Sequence, residues 1–299
     1  MENKNYIVYH LHTQLSLLDS ATKHSDYIAR AVELGQTAIA FTEHGHIYQW
    51  VEKKMACEKA GLKYLHGCEV YLTEALLLPP DAKEVQKQVM EEIAQRERET
   101  EALTKRLLTE MEKADYREEP DPGSIPQEDP AISDNFAERR FAELMEAGMH
   151  KVRDNYHTIL IAKNYAGLQE MNELISRSTC SDHFYYKPRI TFDEFLGLSS
   201  NVIKISACLA SPLNKMSLSH PMYEKLLRHY DYLEIQAHDH PEQIAYNRHL
   251  VDMSLKYGIP LIAGTDTHSL NKYKAECRTV LQLSKHIDFA DEDTFDLTY

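Results

Sequence analysis

The amino-acid sequence predicts an α/β fold. Seven short runs of β-branched and aromatic residues alternate with helical segments, and most of these runs are continuously apolar. Continuous apolar runs are typical of strands that are buried on both faces of a parallel sheet. Three helical segments end at a glycine directly before the next run, which is the rhythm of repeated βαβ units. The repetition favours either a barrel or an open α/β sheet.

The seven predicted strands and the helices between them follow the chain in order. The strands are predicted at residues 5–11, 37–42, 63–72, 157–162, 201–206, 232–236 and 259–263. Helices are predicted at residues 24–34, 47–60 and 241–257, because each has an amphipathic pattern and stops at Gly35, Gly61 or Gly258.

Residues 79–151 interrupt this alternation between the third and fourth strands. Residues 81–114 are a charged helical run, residues 118–130 are rich in proline and acid, and a short helix follows around Phe136. We interpret this segment as a helical insertion within a single domain that covers residues 1–299. Two interpretations of the insertion stay open: an arm that contacts a partner or covers the site, and a solvated hairpin without chemistry.

Composition and charge limit the class of protein. The 299 residues are 43% hydrophobic and 27% charged, and such a chain can bury a full core. No apolar run approaches the ~18 residues of a membrane span, and the N-terminus lacks the pattern of a secretion signal. Five cysteines without a C-x-x-C pair favour reduced thiols in the cytoplasm. The net charge of −14 argues against a broad nucleic-acid-binding surface, so a polyanionic substrate would need cations inside the site.

Paired histidines and acids give the first indication of a metal site. His10 and His12 are two positions apart, and on an extended strand such side chains point to the same side and can ligate one ion. Asp266 and His268 repeat this spacing after the seventh run. One such pair alone is better explained by half-buried strand residues. Two pairs at opposite ends of the chain favour a metal site.

Further potential ligands lie where predicted strands end. Glu43, His44 and His46 follow the second run, and Glu69 lies within the third. The carboxyl ends of the strands share one face of a parallel α/β barrel. His, Asp and Glu are ligand types for zinc, manganese and iron, and a carboxylate can bridge two ions. The sequence therefore predicts a site with more than one metal ion.

Eight short motifs together resemble the polymerase and histidinol phosphatase (PHP) superfamily. They are HLHT, SLLD, AFTEHG, GCEVY, HTILIAKN, YYKPRI, SACLA and TDTH. The resemblance covers nearly the whole chain except the predicted insertion, and the motifs are specific as a set. YYKPRI and SACLA resemble the N-terminal PHP domain of bacterial DNA polymerase III alpha subunits more than a histidinol phosphatase.

The resemblance implies both a fold and a set of metal ligands. The fold is a distorted seven-stranded (β/α)7 barrel, which agrees with the seven runs. The site holds two to three divalent ions of zinc, manganese or iron, and Glu69 bridges two of them. The nine implied ligands are His10, His12, Asp19, His44, Glu69, His157, Cys208, Asp266 and His268. PHP domains that have lost activity lack several of these positions, whereas this chain has a suitable residue type at all nine.

Four of the candidate site residues have alternative explanations, and Asp19 on its own would pass for a turn residue. His157 begins its predicted strand, which is the wrong end for a barrel site, and His183 is the alternative ligand. Cys208 would be a small core residue without the family pattern and a thiolate ligand with it. Arg189 of YYKPRI either pairs at the surface or binds a substrate phosphate.

The resemblance also implies metal-dependent phosphoester hydrolysis without a covalent intermediate on the protein. Bound ions lower the pKa of water from ~15.7 toward ~7 and neutralise phosphate. Glu69, Asp266 and Arg189 are the candidate catalytic residues, and the expected substrate is the 3′ end of DNA, cleaved by a 3′→5′ proofreading exonuclease.

Residues 285–299 end without a helix cap or basic tail, so we expect a fragment of a polymerase whose other domains and replisome subunits are its partners. Two alternatives stay open. The metals could serve only to stabilise the domain, or the chain could be a free-standing phosphatase of the histidinol-phosphate kind. The sequence leaves the metal identity and the oligomeric state open.

Overall fold

The computed structural model describes residues 6–113, 135–284 and 298. The predicted loop at 118–130 and most of the C-terminal segment therefore lie outside the described residues. The chain has a mixed α/β fold, as predicted. It divides into two compact units, Met1–Leu76 with Arg153–Tyr299, and Leu77–Val152. Among the described residues, none of the helices combines the length and apolarity that crossing a membrane requires.

The helices and strands of the described residues are numbered in chain order. The helices are α1 (His24–Glu33), α2 (Trp50–Lys59), α3 (Ala82–Lys113), α4 (Phe136–Ala147), α5 (Tyr165–Ser178), α6 (Phe192–Leu196), α7 (Pro212–Lys215), α8 (Tyr223–His229), α9 (Pro241–Tyr257) and α10 (Lys272–Leu283). The strands are β1 (Ala38–Phe41), β2 (Lys63–Thr73), β3 (Leu77–Leu78), β4 (His150–Lys151), β5 (Tyr156–Ala162), β6 (Arg189–Thr191), β7 (Val202–Ile205), β8 (Leu233–Gln236) and β9 (Leu261–Gly264).

The three predicted helices with glycine stops are α1, α2 and α9. Gly35, Gly61 and Gly258 follow them with φ values of +68°, +77° and +69°. Glycine adopts this left-handed conformation without the steric cost that a Cβ atom imposes, and it therefore ends a helix cleanly. The predicted helix ends agree with the structure because a glycine that ends a helix acts through its own backbone conformation.

The sheet of the first unit is mixed, so the prediction of a purely parallel sheet is wrong. β1 and β6 pair with β2 in parallel, whereas β5 runs antiparallel to both β2 and β7. The reversal follows from where the chain returns to the sheet. Tyr156 at the start of β5 pairs with Leu72 near the end of β2, so β5 begins beside the end of β2 and must run back along it.

The first predicted strand, at residues 5–11, is not a regular strand among its described residues. Side chains take two of its backbone donors, because the N–H of Val8 donates to Gln36 Oε1 (3.2 Å) and that of Leu11 to Thr42 Oγ1 (2.9 Å). The segment keeps one parallel bridge, between Leu11 and Thr267 beyond β9. Its carbonyl groups still accept hydrogen bonds from backbone N–H groups in and just after β1.

Alternation along β2 separates the core from the site. Cys68, Val70 and Leu72 point into the main apolar cluster of the first unit, which also contains residues of α5, α6, α8 and α9. Because side chains alternate along a strand, Glu69 and Tyr71 point to the opposite side. Each fully buried Leu or Phe of this cluster stabilises the fold by about 1.5–3 kcal/mol. The strand is thereby fixed on its apolar side while its other side carries polar groups.

The second unit is built on two helices and a two-residue ladder. α3 packs along α4, where Arg140 Nε donates to Glu92 Oε2 at 2.8 Å, and β3 pairs antiparallel with β4. Val85 and Val89, one turn apart on α3, are buried at 6% and 3% exposure. The unit covers nearly the residues of the predicted insertion, 79–151.

Candidate metal centre

The structure brings the nine predicted ligands together at one side of the first unit. His10 and His12 lie at the end of the N-terminal segment, Asp19 lies in the next loop and His44 follows β1. The other five come from or just after four further strands: Glu69 in β2, His157 in β5, Cys208 after β7, and Asp266 and His268 after β9. The cluster therefore depends on segments that are far apart in sequence.

Seven of the nine residues form three overlapping groups in which the potential ligand atoms all lie within 4.8 Å of one another. The groups are His12 with His44 and His268, His10 with His12 and Asp266, and His44 with Glu69 and His157. His12 belongs to two groups and so does His44. The arrangement is therefore a continuous cluster.

Asp19 and Cys208 extend the cluster on two sides. Asp19 Oδ2 lies 2.8 Å from His44 Nε2 and 3.0 Å from His268 Nε2. Cys208 Sγ lies 3.6 Å from His157 Nδ1. Burial, together with the charges of Asp266 and Glu69, raises the pKa of the Cys208 thiol well above its ordinary value, so a nearby cation is needed to form the thiolate.

His157 reaches the cluster because β5 runs antiparallel to β2. The start of β5 lies beside the end of β2, which places His157 Nδ1 2.8 Å from Glu69 Oε1. The alternative ligand, His183, lies elsewhere, with Nε2 3.0 Å from Glu194 Oε1, and it belongs to none of the three groups. The difficulty with His157 came from the assumption that all strands are parallel.

Buried polar atoms that make no hydrogen bond face one another in the cluster. They are His10 Nε2, His12 Nε2, His44 Nδ1, both carboxylate oxygens of Glu69, Asp266 Oδ1 and His268 Nε2. Opposing pairs are close, for example 2.7 Å between His44 Nδ1 and Glu69 Oε2 and 2.9 Å between His10 Nε2 and Asp266 Oδ1. Unpaired buried groups of this kind are costly unless a ligand satisfies them. Nitrogen and carboxylate donors converging in this way fit divalent cations.

The carboxylates and imidazoles of the cluster shift each other's pKa values in opposite directions. Burial would raise the pKa of Glu69, but His157 and His44 hold it well below its usual value. The pKa of Asp266 is likewise held well below its usual value, by His10 and His268. Burial and the charges of His44 and His268 lower the pKa of His12 to about 3. Despite burial, the neighbouring carboxylates raise the pKa of His10, of His268 and of His44, the last to about 10. A bound cation would therefore displace protons from these three imidazoles, whereas the carboxylates and His12 already have the forms that bind a cation.

Glu234 orients His10 and was missed as a site residue. Its Oε1 accepts a hydrogen bond from His10 Nδ1 at 2.7 Å, and its Oε2 accepts one from the Tyr9 hydroxyl at 3.0 Å. With Nδ1 directed at Glu234, Nε2 of His10 faces Asp266 Oδ1 at 2.9 Å. Carboxylates behind metal-binding histidines fix the ring in this way. The sequence does contain a signal for Glu234, because it is an acidic residue inside the apolar run 232–236. A carboxylate that is buried in a strand needs a polar partner.

A second chain of contacts orients His12. Ser16 Oγ donates to Glu43 Oε2 at 2.6 Å, so its oxygen accepts from His12 Nδ1 at 3.0 Å and Nε2 of His12 faces the cluster. Glu43 also accepts two bonds from Thr13, and Lys53 Nζ donates to it at 2.6 Å. Glu43 and Lys53 are 1% and 2% exposed, so this pair is buried.

Asp19 and Arg189 are each held in position by hydrogen bonds or ring contacts with neighbouring residues. Arg278 of α10 donates to the carbonyl and the carboxylate of Asp19, with Nη2 2.5 Å from Oδ1. The Arg189 side chain is 1% exposed, its Nε donates to the His183 carbonyl at 3.2 Å, and its guanidinium lies over the Tyr185 ring. This burial favours a role in holding the YYKPRI segment over direct binding of phosphate.

A Gly264→Ala substitution should weaken metal binding about 10- to 100-fold. Gly264 faces Glu234 so closely that an added Cβ would overlap its carboxylate and move it away from His10. Isothermal titration of Zn²⁺ or Mn²⁺ into metal-free protein measures the effect. Gly197→Ala is the control, because a Cβ there meets only ordinary contacts at 3.4 Å. Equal affinities for the two variants would rule out the role of Glu234.

Metal addition should raise the unfolding temperature of the metal-free protein. A ligand that binds only the folded state stabilises it by about 2.7 kcal/mol at a free concentration of 100 times Kd. Differential scanning calorimetry with and without Mn²⁺ or Zn²⁺ measures the shift. The same shift in an Asp266→Asn/His268→Ala double variant would show that the stabilising ions bind elsewhere.

Comparison with known proteins identifies relatives of the chain. The family model described as "PHP domain" matches residues 9–239. The DNA polymerase III subunit alpha of Aquifex aeolicus is 26% identical over 288 residues, which cover 93% of this chain and 20% of that protein. The corresponding subunit of Borreliella burgdorferi is 26% identical over 285 residues, which cover 92% of this chain and 19% of that protein. The chain thus spans about a fifth of the length of these curated relatives.

Two solved structures are more distant. A two-domain protein from Bacteroides vulgatus, described as containing a predicted PHP-like metal-dependent phosphoesterase, has a TM-score of 0.43 and 12% identity, covering 88% of this chain and 51% of that chain. An amidohydrolase from Chromobacterium violaceum has a TM-score of 0.40 and 16% identity, covering 88% of this chain and 87% of that chain. These likenesses are too weak to support a conclusion about activity.

Proposed function

The chain belongs to the PHP domain family, and on this premise we propose that it is a metal-dependent phosphoesterase whose nine clustered residues bind two to three divalent ions. The observation that carries the proposal is the set of buried, unbonded ligand atoms that face one another in the cluster. The three overlapping ligand groups support a count of up to three ions. Mixed imidazole, carboxylate and thiol ligands suit zinc, manganese or iron.

Some residues of the cluster would bind the ions, and others would orient the histidines that bind them. Bound divalent ions would supply an activated water and neutralise the charge of a phosphate. Glu69 presents both oxygens to two sets of imidazoles, His157 with His10 and His44 with His12, and is suited to bridging. Asp266 lies between His10 and His12. Glu234 would orient His10 and Ser16 would orient His12, so that Nε2 of each ring faces the cluster.

We further propose that seven extended segments form the distorted barrel of the family. The first sheet joins β1, β2, β5 and β7, and β8 pairs with β9. Single parallel bridges connect the two sheets, from Ile205 to Tyr232 and from Leu11 to Thr267. A ring interrupted in this way would bring the ends of all seven segments to the metal cluster, with residues 79–151 as an insertion between the third and fourth.

The proposed substrate is the 3′ end of DNA. Support comes from the curated relatives, which are DNA polymerase III alpha subunits, and from the charge of −14, which makes an internal cation centre the means of binding a polyanion. In this context the activity would be 3′→5′ exonucleolytic, and the partners would be other polymerase domains and replisome subunits. The five free cysteines support a cytoplasmic location.

Hydrolysis of two substrates by metal-loaded protein tests the proposal. One is a labelled DNA primer, analysed for mononucleotide release from its 3′ end, and the other is p-nitrophenyl phosphate. The control is the Asp266→Asn/His268→Ala variant. Mononucleotide release that the variant lacks supports the exonuclease, and turnover of the small ester alone favours a free phosphatase. Bound metal without turnover of either would leave a structural metal site and contradict the proposal.

A further inference from the structure

The segment YYKPRI forms a tight turn whose central residue has an unusual backbone. Tyr185 N–H donates to the Lys187 carbonyl at 3.1 Å, and Tyr186 between them has a φ of +60°. Bulky residues other than glycine rarely adopt this left-handed conformation. Strained positions of this kind concentrate at ligand-binding and catalytic sites. The conformation therefore calls for an explanation beyond packing.

The turn presents aromatic surface to solvent. The Tyr186 side chain is 74% exposed and nearby Phe184 is 44% exposed. The Tyr185 ring contacts the Tyr186 ring edge-on, with centroids 4.7 Å apart, and the Arg153 guanidinium lies 5.6 Å from the Tyr186 centroid. Exposed aromatic rings with an adjacent guanidinium are the usual components of a platform on which nucleobases stack.

The turn is held against the metal cluster by side-chain contacts. Lys187 Nζ donates to the Tyr71 hydroxyl at 3.0 Å and lies 4.4 Å from the centre of its ring. The Tyr71 ring in turn contacts two proposed ligands, with centroids 5.1 Å from His157 and 6.0 Å from His44. The exposed ring of Tyr186 is thus one residue along the chain from a lysine at the rim of the cluster.

A close backbone approach fixes this position. Gly45 follows His44 directly, with a φ of +70°, and a Cβ atom there would overlap the ring of Pro188 and crowd Tyr71. The loop that carries His44 and the turn that carries Tyr186 are therefore packed without a gap. Movement of the turn relative to the cluster is restricted, as a substrate-positioning surface requires.

We propose that Tyr186 and Phe184 form a stacking platform for the terminal bases of single-stranded DNA, beside the metal cluster that would cleave its 3′-terminal phosphoester. This inference rests on the proposed function and specifies its substrate class as a nucleobase-bearing phosphoester. Lys187 and Arg153 lie on the same turn or against it and provide positive charge for the backbone phosphates. Stacking is independent of net charge, so it suits a chain whose overall charge of −14 repels DNA.

The acids around the turn limit the electrostatic share of binding. Asp154 follows Arg153 in the chain, and the exposed Asp182 lies 3.1 Å from His183 Nδ1. Their charges reduce the attraction that Arg153 and Lys187 exert on phosphate. We therefore expect the contribution of the Tyr186 ring to change little between low and high salt, unlike that of phosphate contacts.

A Tyr186→Asn substitution tests the platform, because asparagine tolerates the left-handed conformation but lacks the ring. Fluorescence anisotropy of a labelled single-stranded oligonucleotide, in a Glu69→Gln background that prevents cleavage, gives Kd. We expect Kd to rise roughly 5- to 150-fold, the range for loss of one base-stacking ring. The conservative Tyr186→Phe variant should keep the wild-type Kd within about twofold, since it retains the stacking face.

An oligonucleotide with abasic residues at its 3′ end separates stacking from general damage. The loss caused by Tyr186→Asn should disappear with this oligonucleotide, and Tyr165→Asn, at an equally exposed tyrosine on α5 (72% exposed), should leave both Kd values unchanged. Equal binding of the normal oligonucleotide by wild type and Tyr186→Asn would overturn the platform. An equal loss with both oligonucleotides would also overturn it.

The two proposals fail independently of each other. If wild-type protein cleaves DNA and Tyr186→Asn has the wild-type Kd, the platform is wrong and the phosphoesterase function stands. If no phosphoester is cleaved but base-dependent binding is lost in Tyr186→Asn, the hydrolytic function is wrong and the platform stands as a DNA-binding surface.

Discussion

Replacing Glu69 by glutamine should reduce kcat/KM for phosphoester hydrolysis by about a thousandfold or more. Glu69 is fully buried, and each of its two oxygens approaches two imidazoles of the cluster, at 2.7–3.7 Å. Glutamine keeps the shape but removes the negative charge and replaces one ligand oxygen by an NH₂ group, so a bridge between two ions is lost. Metal ions supply several kcal/mol of transition-state stabilisation, and ~4 kcal/mol corresponds to a thousandfold.

Steady-state hydrolysis of p-nitrophenyl phosphate, with metal content measured on the same samples, checks this expectation. The matched control is Glu74→Gln, at a half-exposed glutamate just beyond β2 whose partner is His220 at 3.3 Å. The control should retain wild-type kcat/KM and metal content. A Glu69→Gln variant that binds the full complement of metal and hydrolyses the ester normally would refute the proposed role of Glu69.

Replacing Lys53 by methionine should reduce the free energy of unfolding by about 3–5 kcal/mol, the usual cost of removing one partner of a buried ion pair. Lys53 Nζ lies 2.6 Å from Glu43 Oε1, and both side chains are almost completely buried. Without it, the partners of the buried Glu43 charge among the described residues would be the hydrogen bonds from Thr13 and Ser16. Urea denaturation measures the loss. Lys54→Met is the control, because its pair with Glu58 is about half exposed and is worth ~0–1 kcal/mol.

The same pair should make stability depend on pH in a defined range. Burial would raise the pKa of Glu43, but Lys53, Ser16 and Thr13 lower it to about 2, against 4.5 for an ordinary glutamate. As the pH falls below 4.5, Glu43 becomes protonated in the unfolded state, whereas in the folded state it stays ionised until about pH 2. The contribution of Glu43 to the free energy of unfolding therefore falls between pH 4.5 and about pH 2. The fall should be shallower in Lys53→Met. Identical slopes in both proteins would contradict the account.

Four of the nine proposed metal ligands could be predicted from the residues alone because their signal is local. The i, i+2 spacings of His10 with His12 and of Asp266 with His268 place side chains on one side of extended chain, whatever the rest of the fold does. The structure accordingly brings all four into the cluster. The helix stops at Gly35 and Gly258 were predictable for the same reason.

Strand direction was not predictable, because it depends on contacts between distant segments. His157 occupies the correct end of β5 only because the chain returns to the sheet beside the end of β2. Nothing within residues 157–162 encodes that direction. The first run, likewise, has the composition of a strand, but Gln36 and Thr42 take its donors through their side chains.

The residues behind the ligands were harder to find than the ligands themselves. Glu234 could have been found, because a carboxylate inside an apolar strand run must be paired. Lys53 could not, because a lysine on a charged helix is ordinarily solvated, whereas here it is buried beside Glu43 of the loop after β1. Side chains in such supporting positions have no characteristic spacing in sequence.

The nine clustered residues should bind more than one divalent ion. The most direct test is the metal content per chain after loading with Mn²⁺ or Zn²⁺ and removal of free ions, measured by elemental analysis and native mass spectrometry. The account predicts two to three ions for the wild type, and fewer for the Glu69→Gln and Asp266→Asn/His268→Ala variants. One ion or none in the wild type, or an unchanged count in both variants, would contradict it.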